Sequence, residues 1–417
     1  MKTTQRYSSP LLALGLLISS MGALGACRTE DPDREQIYSS LELVMAGTDS
    51  TPFAVPKSAV IDRLVAFIDS AQTSIDIALS DFENERVARA LVAAYQAGVD
   101  VRVVGDEDRR NQIGFQYLED NLGAAASEVL SFGDGPILYN PQPTISVERP
   151  GDHQQMLHNF ALVDGDRMLS MTAGLTGQDE DLVLALTLTG EDILKDFGRV
   201  FNQMHSGTYA SFLDTFGGPH ASITDNQDFY FLPDGTFEVY FGPQQRLGKR
   251  IIDEIYAARS SVYVVTSDLR SSFLVDALRY KAEFGFEVAV VVDSAGAQSE
   301  GSRVAELRRN LTRIRNDNGG DYPAIREVDN VAMTFVVIDA APTRDPAVQA
   351  VTRAYVLTQP FYEPISIVDI GNDEVASRPS EGFTDAHMWG FRATGSDSDT
   401  RIQDLIVFFE YLFGQGS

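Results

Sequence analysis

The chain has 417 residues, which is enough for two domains of average size. Its apolar and charged fractions, 44% and 22%, are those of a folded protein and exclude a largely disordered chain. The formal net charge of −27 at pH 7 argues against a nucleic-acid partner, because binding to a phosphate backbone needs an excess of Lys and Arg.

Residues 1–26 predict an export signal. Lys2 and Arg6 precede an apolar run, Leu11 to Ala23, that is too short for a membrane-spanning helix. The Leu-Gly-Ala-Cys box that follows ends at Cys27 and resembles the lipidation site of bacterial lipoproteins. This resemblance implies cleavage before the cysteine and a lipid on its thiol. The alternative is an ordinary signal peptide followed by a chance cysteine.

Cys27 is the only cysteine, so the chain can form no internal disulfide and no cysteine metal cluster. A lipid on Cys27 would anchor the exported protein to the membrane of the bacterial cell envelope. The residue directly after Cys27 is Arg28 and not an acidic residue, which resembles the pattern that sorts lipoproteins to the outer membrane in some bacteria. Residues 27–40 are polar and predict a tether.

Two stretches, Leu64 to Asp106 and Ile251 to Asp293, share one pattern without gaps at an offset of 187 residues. Apolar spacing in each predicts helix, strand, helix and strand, and Gly98 or Gly285 ends the second helix. This order argues for two α/β halves, each with a largely parallel sheet. The Gly- and Pro-rich segment 211–241 predicts the junction between them.

Each half then continues with an apolar strand that ends in aspartate. In the first half, Phe160 to Asp164 follow His158, and Thr172 lies in a small polar loop seven residues farther on. In the second half, Phe335 to Asp339 form the matching strand, and a loop with Thr358 follows.

The duplicated pattern and these strands resemble the phospholipase D superfamily. The resemblance implies an α/β fold made of two tandem phospholipase D-like domains, residues 41–215 and 225–417, with mixed, mostly parallel sheets flanked by helices. It also implies one active site between the halves, built from H-x-K-x4-D and G-S-x-N in each. One histidine attacks phosphorus, the other protonates the leaving oxygen, and the lysines hold the phosphoryl oxygens.

The sequence departs from these motifs at the reacting residues. Neither motif strand has a lysine near it, and in the second half Ala332 and Thr334 stand where histidine and lysine are expected. The second half has one histidine, His387, on a different predicted element, so the paired-histidine mechanism lacks its second member.

His158 is the candidate catalytic residue, but it precedes Phe160 by two positions rather than three. Because side chains on a strand alternate between faces, a regular strand would turn His158 to the core with Phe160 and leave Leu157 and Asn159 facing the pocket. A one-residue bulge would instead return His158 to the pocket.

Three functions remain open at this point. The first is a catalytically impaired lipoprotein that binds a phospholipid, another phosphodiester or a partner protein; the second is an active phosphodiesterase that uses His158; the third is a scaffold with a vestigial cleft. Arginines lining the cleft would favour phosphate binding.

No cofactor and no metal are expected. Asp81 and Asp268 are interpreted as helix N-caps. The candidate pocket residues are Asn159, Asp164, Thr172, Thr334, Asp339 and Thr358.

Overall fold

The computed structural model describes residues 40–46, 57–106, 109–133, 145–146, 156–176, 181–205, 229–232, 235–242, 247–319, 321–341, 351–361, 368–369, 386–393 and 400–416. All of them belong to one compact unit, Ile37–Ser417. The predicted signal and Cys27 lie outside the described residues, as does the predicted tether apart from its last residue.

The first half forms a seven-stranded sheet with the order β1-β8-β7-β6-β2-β3-β4. Its elements are β1 (Ser40–Ala46), α1 (Lys57–Asp69), β2 (Ser74–Leu79), α2 (Glu85–Gln96), β3 (Asp100–Asp106), α3 (Ile113–Leu122), α4 (Ala126–Val129), β4 (Leu130–Gly133), β5 (Ile145–Ser146), β6 (Phe160–Val163), β7 (Arg167–Met171), β8 (Val183–Thr189) and α5 (Glu191–His205).

The second half forms an eight-stranded sheet with the order β13-β12-β11-β14-β15-β17-β10-β9. Its elements are β9 (Phe229–Leu232), β10 (Gly235–Phe241), α6 (Leu247–Ala257), β11 (Ser261–Thr266), α7 (Ser272–Glu283), β12 (Glu287–Asp293), α8 (Ser294–Ala297), α9 (Val304–Asn318), β13 (Ala324–Val328), β14 (Thr334–Ile338), β15 (Arg353–Leu357), β16 (Val368–Asp369), β17 (His387–Ala393) and α10 (Thr400–Gln415). Strand β16 pairs with β5 of the first half.

The α/β class and the two sheets flanked by helices are confirmed, but two details of the prediction are wrong. The strands pair mostly antiparallel, because only β2-β3-β4 and β11-β12-β13 run parallel. In addition, β9 and β10 occupy the end of the segment predicted as the junction, where they extend the second sheet.

The helix after the first parallel strand begins in the same way in both halves. The side chains of Asn84 before α2 and Ser271 before α7 each accept a hydrogen bond from the backbone N–H three residues farther on. These residues, and not Asp81 and Asp268 as expected, are the N-caps, because the chain takes three more residues to enter the helix.

Both helices also end alike. Gly98 and Gly285 follow them with φ of 92° and 78°, a conformation that glycine adopts without strain. The offset of 187 residues therefore relates equivalent positions in the folded halves.

Three apolar clusters form the core. One packs α1, α2 and α3 on the first sheet, and another packs α6, α7 and α9 on the second. The third is shared by both halves and includes α5, α10 and residues from both sheets. The halves also join through backbone hydrogen bonds from Leu182 N to Asn330 O (2.7 Å) and from Ala332 N to Leu182 O (3.1 Å). This seam joins the start of β8 in the first half to the segment before the motif strand β14 in the second.

Candidate functional site

The aspartates that end the two motif strands accept hydrogen bonds from backbone N–H groups and do not line a pocket. Asp164 and Asp339 both adopt a positive φ, 55° and 60°. The Asp164 carboxylate accepts the N–H of Thr73 at 2.7 Å, and that of Asp339 accepts the N–H of Ser260 at 2.8 Å. Both were predicted to lie in the pocket. They lie outside it because the turn directs each carboxylate to the loop before β2 or β11.

Hydrogen bonding also changes the acidity of Asp164. Burial raises the pKa of this carboxyl, but hydrogen bonds from Thr73, Ser74 and Gln72 outweigh burial and lower the pKa to about 2. Asp164 is therefore ionised at neutral pH and stabilises the start of β2.

A second pair of aspartates fixes the register of the motif strands. The Asp106 carboxylate accepts the N–H of Met156 at 2.7 Å, and the Asp293 carboxylate accepts the N–H of Val331 at 2.9 Å. Asp106 and Asp293 are equivalent at the offset of 187, so Met156 and Val331 are equivalent too. The residues that follow them then match one for one.

This register shows which residues occupy the positions where the family has its catalytic histidines and lysines. Leu157 and Ala332 occupy the two histidine positions, and Asn159 and Thr334 occupy the two lysine positions. Leu157, Asn159 and Ala332 line a cleft between the halves. Thr334, also predicted as a pocket residue, is buried outside the lining, and its hydroxyl contacts that of Thr266 at 3.2 Å. None of these four side chains has an imidazole or can carry a positive charge, and the one hydroxyl among them, that of Thr334, lies outside the cleft lining.

The cleft has a volume of about 530 Å³. It is lined by Ser80, Asp81, Leu157, Asn159, Thr172, Ala173, Gly174, Thr176, Asp181, Ser267, Asp293, Ala295, Asp329, Asn330, Val331, Ala332 and Thr358. The candidates Asn159, Thr172 and Thr358 are in this set. Asn159 is held in place because its side-chain oxygen accepts both the N–H and the hydroxyl of Ser80, each at 2.9 Å.

The charge of the cleft lining is negative. Among the described residues that line it there are four aspartates and no Lys, Arg or His. Asp293 is fully engaged with backbone N–H groups, and Asp181 accepts the Thr176 hydroxyl at 2.9 Å. Asp81 accepts an amide N–H of Gln112 at 2.8 Å.

A cation lies at the edge of this lining. The Arg109 Nε is 3.5 Å from the Asp81 carboxylate, and the Arg109 side chain is half exposed. This single guanidinium does not balance the four aspartates, so the described lining is acidic overall.

The two histidines that the sequence placed on different elements lie together. His158 Nδ1 and His387 Nδ1 are 2.9 Å apart, the two rings are nearly parallel, and both residues are 0% exposed. Phe160, Phe197 and Phe241 surround the pair. His158 thus faces the core with Phe160, and not the cleft.

A donor can be assigned to each hydrogen bond in the buried network of Ser170, His387 and His158. Ser170 Oγ lies 2.6 Å from His387 Nε2 and 3.2 Å from the backbone oxygen of Asn159, which can only accept. If Ser170 donates to that oxygen, His387 Nε2–H donates to Ser170 and His158 Nδ1–H donates to His387. The one atom then left without a partner, His158 Nε2, is an acceptor, which costs less than a buried N–H without an acceptor.

Burial keeps both rings neutral. It lowers the pKa of His158 to about 3, and burial together with the proximity of His158 lowers the pKa of His387 well below its usual value.

The sequence did not predict this pair, because the two residues are 229 positions apart. The signal that could have indicated a buried His387 was its position in the second repeat. Thr172 N bonds to Leu184 O at 2.9 Å and Thr358 N bonds to His387 O at 3.0 Å, so His387 is the counterpart of Leu184, a core residue.

The described residues contain no cluster of three or more His, Cys, Asp or Glu side chains placed to hold a metal ion. No helix among them is both long and apolar enough to cross a bilayer.

Comparison with known proteins gives a family. Residues 64–205 match the family described as cardiolipin synthase, PLD-like domain. A mitochondrial cardiolipin hydrolase from Danio rerio is 29% identical over 119 residues, which are 28% of this chain and 44% of that protein. The match therefore spans less than half the length of this relative.

Solved structures extend the likeness in fold to both halves. Phosphatidylserine synthase from Haemophilus influenzae matches 91% of this chain and 88% of its own, with a TM-score of 0.58 and 12% identity. Nuc, a phospholipase D family member from Salmonella typhimurium, matches 40% of this chain and 93% of its own at 17% identity, with a TM-score of 0.28. By its sequence match, residues 64–205 form a phospholipase D-like domain, and the likeness of the second half is one of fold.

Proposed function

We propose that this chain is a catalytically inactive member of the phospholipase D superfamily, lipid-anchored at Cys27 in the bacterial cell envelope, that acts by binding rather than by turnover. One observation carries the proposal. The two positions expected for the reacting histidines hold Leu157 and Ala332, whose side chains line the cleft and have no group that exchanges a proton.

The size of the catalytic loss supports this proposal. General acid–base catalysis contributes about 10²–10⁴-fold to a rate, and loss of one donor that stabilises developing charge costs about another 10²–10³-fold. Both contributions are missing here, because Asn159 and Thr334 also replace the two lysines.

The alternative, an active phosphodiesterase that uses His158, finds no support in the geometry. A nucleophile must reach the phosphorus atom, but His158 is fully buried and points to His387 and Phe160. Its low pKa does not compensate, because no described cavity opens onto it.

The negative charge of the cleft also restricts the class of ligand that it can bind. The relatives named above are a cardiolipin hydrolase and a phosphatidylserine synthase, and a phosphate group would need positive charge in the cleft. Here Asp81, Asp181, Asp293 and Asp329 face it, and Arg109 is at its edge. We infer that a neutral or amine-bearing ligand, or a partner's basic side chain, fits this cleft better than a phosphodiester.

The test uses the chain from Arg28 onward, which retains the whole compact unit. It is incubated with cardiolipin vesicles and with bis(p-nitrophenyl) phosphate, beside the His158→Met variant, which copies Met333 at the equivalent position. We expect no product above the buffer rate from either protein. Turnover by the parent chain that is lost in His158→Met would contradict the proposal.

A binding arm tests the charge of the cleft. We expect spermidine to raise the melting temperature of the parent chain and dimethyl phosphate to leave it unchanged. The Asp81→Asn/Asp329→Asn variant should lose the spermidine effect, whereas Asp166→Asn, on an exposed turn outside the cleft, should keep it. Stabilisation by dimethyl phosphate that Asp81→Asn/Asp329→Asn strengthens would show instead that the cleft is a phosphate site.

A further inference from the structure

The second half has a surface of exposed aromatic side chains on α6 and α7. Tyr256, Phe273, Tyr280 and Phe284, which we call the aromatic patch, are 42% to 62% exposed. Tyr280 contacts Tyr256 and Phe284, with ring centroids 5.5 Å and 4.6 Å apart. No other aromatic side chain in the described part of the chain is as exposed. A cluster of this kind indicates a contact surface, whereas single exposed apolar residues do not.

The duplication provides an internal control for this patch. The equivalent helices α1 and α2 pack on the first sheet in the same way, and α2 has its N-cap at the position equivalent to that of α7. Their residues at the four equivalent positions are exposed as well, but they are charged or small. These residues are Asp69, Arg86, Ala93 and Ala97. The fold therefore does not require aromatic side chains here.

Helix α9 adds positive charge beside the patch. It contains four arginines and two carboxylates. Its exposed side forms a shallow groove of about 490 Å³ lined by Arg308, Arg309, Thr312, Arg313, Asn316 and Asp317. Arg313 reaches α7, where it lies 3.4 Å from the Glu283 carboxylate, next to Phe284.

The charges close to α9 matter more than the net charge of the whole chain. Exposed charges farther away than the Debye length, about 8 Å at physiological salt, are largely screened. A surface that contacts α9 therefore senses its four arginines, together with the two carboxylates of the helix and the neighbouring Glu283 and Glu327, more than the net charge of the chain.

We propose that the aromatic patch and the arginine groove of α9 together bind the surface of a bilayer that contains anionic phospholipids. Tyr and Phe side chains partition into the membrane interface, and arginine attracts anionic headgroups. Of the three groove arginines, Arg308 pairs with Glu327 and Arg313 lies 3.4 Å from the Glu283 carboxylate, which leaves the Arg309 guanidinium to contact a headgroup phosphate. The patch lies along the outer side of two helices, so a flat lipid surface can reach all four rings. This proposal does not depend on the cleft or on lipidation of Cys27.

The test is flotation of the chain from Arg28 onward with vesicles of phosphatidylglycerol and phosphatidylcholine, and with vesicles of phosphatidylcholine alone. The first variant, Tyr256→Asp/Phe273→Arg/Tyr280→Ala/Phe284→Ala, gives α6 and α7 the surface of the first half and leaves the net charge unchanged. We expect the parent chain to bind the anionic vesicles and the variant to bind at least about tenfold more weakly.

Two more variants separate the contributions. In Arg309→Gln/Arg313→Gln, binding to anionic vesicles should fall by about fivefold for each arginine removed. Ile113→Ala, which removes an exposed apolar residue of α3 in the first half, should bind like the parent chain. Far-ultraviolet circular dichroism of each variant verifies that it is folded.

Three results would overturn the proposal. The parent chain could fail to float with anionic vesicles, or the four-residue variant could bind as tightly as the parent. The third is self-association, seen by sedimentation, that the four-residue variant abolishes while vesicle binding is unaffected. That result would assign the patch to a second copy of the chain.

Discussion

Replacement of the buried histidine pair should remove a pH dependence of stability. The variant His158→Met/His387→Leu installs the residues that the other half has at the equivalent positions, Met333 and Leu184. Both replacements are close to histidine in volume, and because they remove both members of the His158–His387 hydrogen bond, neither leaves the other ring without its partner. Ser170 keeps its hydrogen bond to the Asn159 carbonyl in the variant.

The magnitude follows from proton binding. In the unfolded chain both imidazoles titrate near pH 6.5, whereas in the folded chain burial lowers both pKa values, that of His158 to about 3. The unfolded state therefore binds more protons as the pH falls below about 6.5, and the folded state loses stability. Each pH unit costs about 1.4 kcal/mol per histidine, so at about pH 5 His158 should cost about 2 kcal/mol, and His387 adds to this loss because its pKa is lowered as well.

The assay is urea unfolding of the parent chain and the variant at about pH 7.5 and about pH 5. Carboxylates titrate equally in both proteins, so the difference between the two pH dependences isolates the histidines. We expect the unfolding free energy of the parent to fall by at least about 2 kcal/mol more than that of the variant. Equal pH dependences would refute the assignment of two neutral, buried imidazoles.

Three further variants test other features. Cys27→Ser should leave the chain unacylated and move it from the membrane fraction to the soluble fraction of a bacterial host; retention in the membrane would show that the anchor lies elsewhere. Asp164→Asn should lower the unfolding free energy by about 2 kcal/mol at pH 7, an effect that is full above about pH 4 and lost as the pH falls towards 2, whereas Asp166→Asn on the same turn should have little effect. Asn159→Ala should cost about 1–3 kcal/mol in urea unfolding, because the Ser80 N–H loses its acceptor; an unchanged midpoint would show that this bond is dispensable.

The sequence predicted the duplicated helix–strand units well because their pattern is local. Apolar spacing and glycine ends define α2 and α7, and the same offset of 187 holds in the structure. The repeated pattern covered only β2, β3, β11 and β12, which pair parallel, so it did not show that β6 and β14, also predicted as strands, pair antiparallel with β2 and β11. The strands β9 and β10 were also not predicted, because the residues around them are typical of turns. These two strands are stabilised by their pairing in the second sheet.

The site was less predictable because it depends on contacts between distant parts of the chain. Alternation along the strand was enough to turn His158 to the core. It could not show that Asp164 and Asp339 turn back to the preceding loops, because that follows from a positive φ at each turn. Nor could a local pattern bring His387 to His158, since the contact exists only after both halves fold.

The histidine pair also determines which halves can associate. In a first half bound to another first half, His158 would meet the position of Leu184; in a second half bound to another second half, His387 would meet the position of Met333. Either arrangement would leave buried imidazole nitrogens without partners, at a cost of about 1–3 kcal/mol for each. Each half thus supplies one member of a hydrogen bond that identical halves cannot form, and the pair favours association of unlike halves over association of like ones.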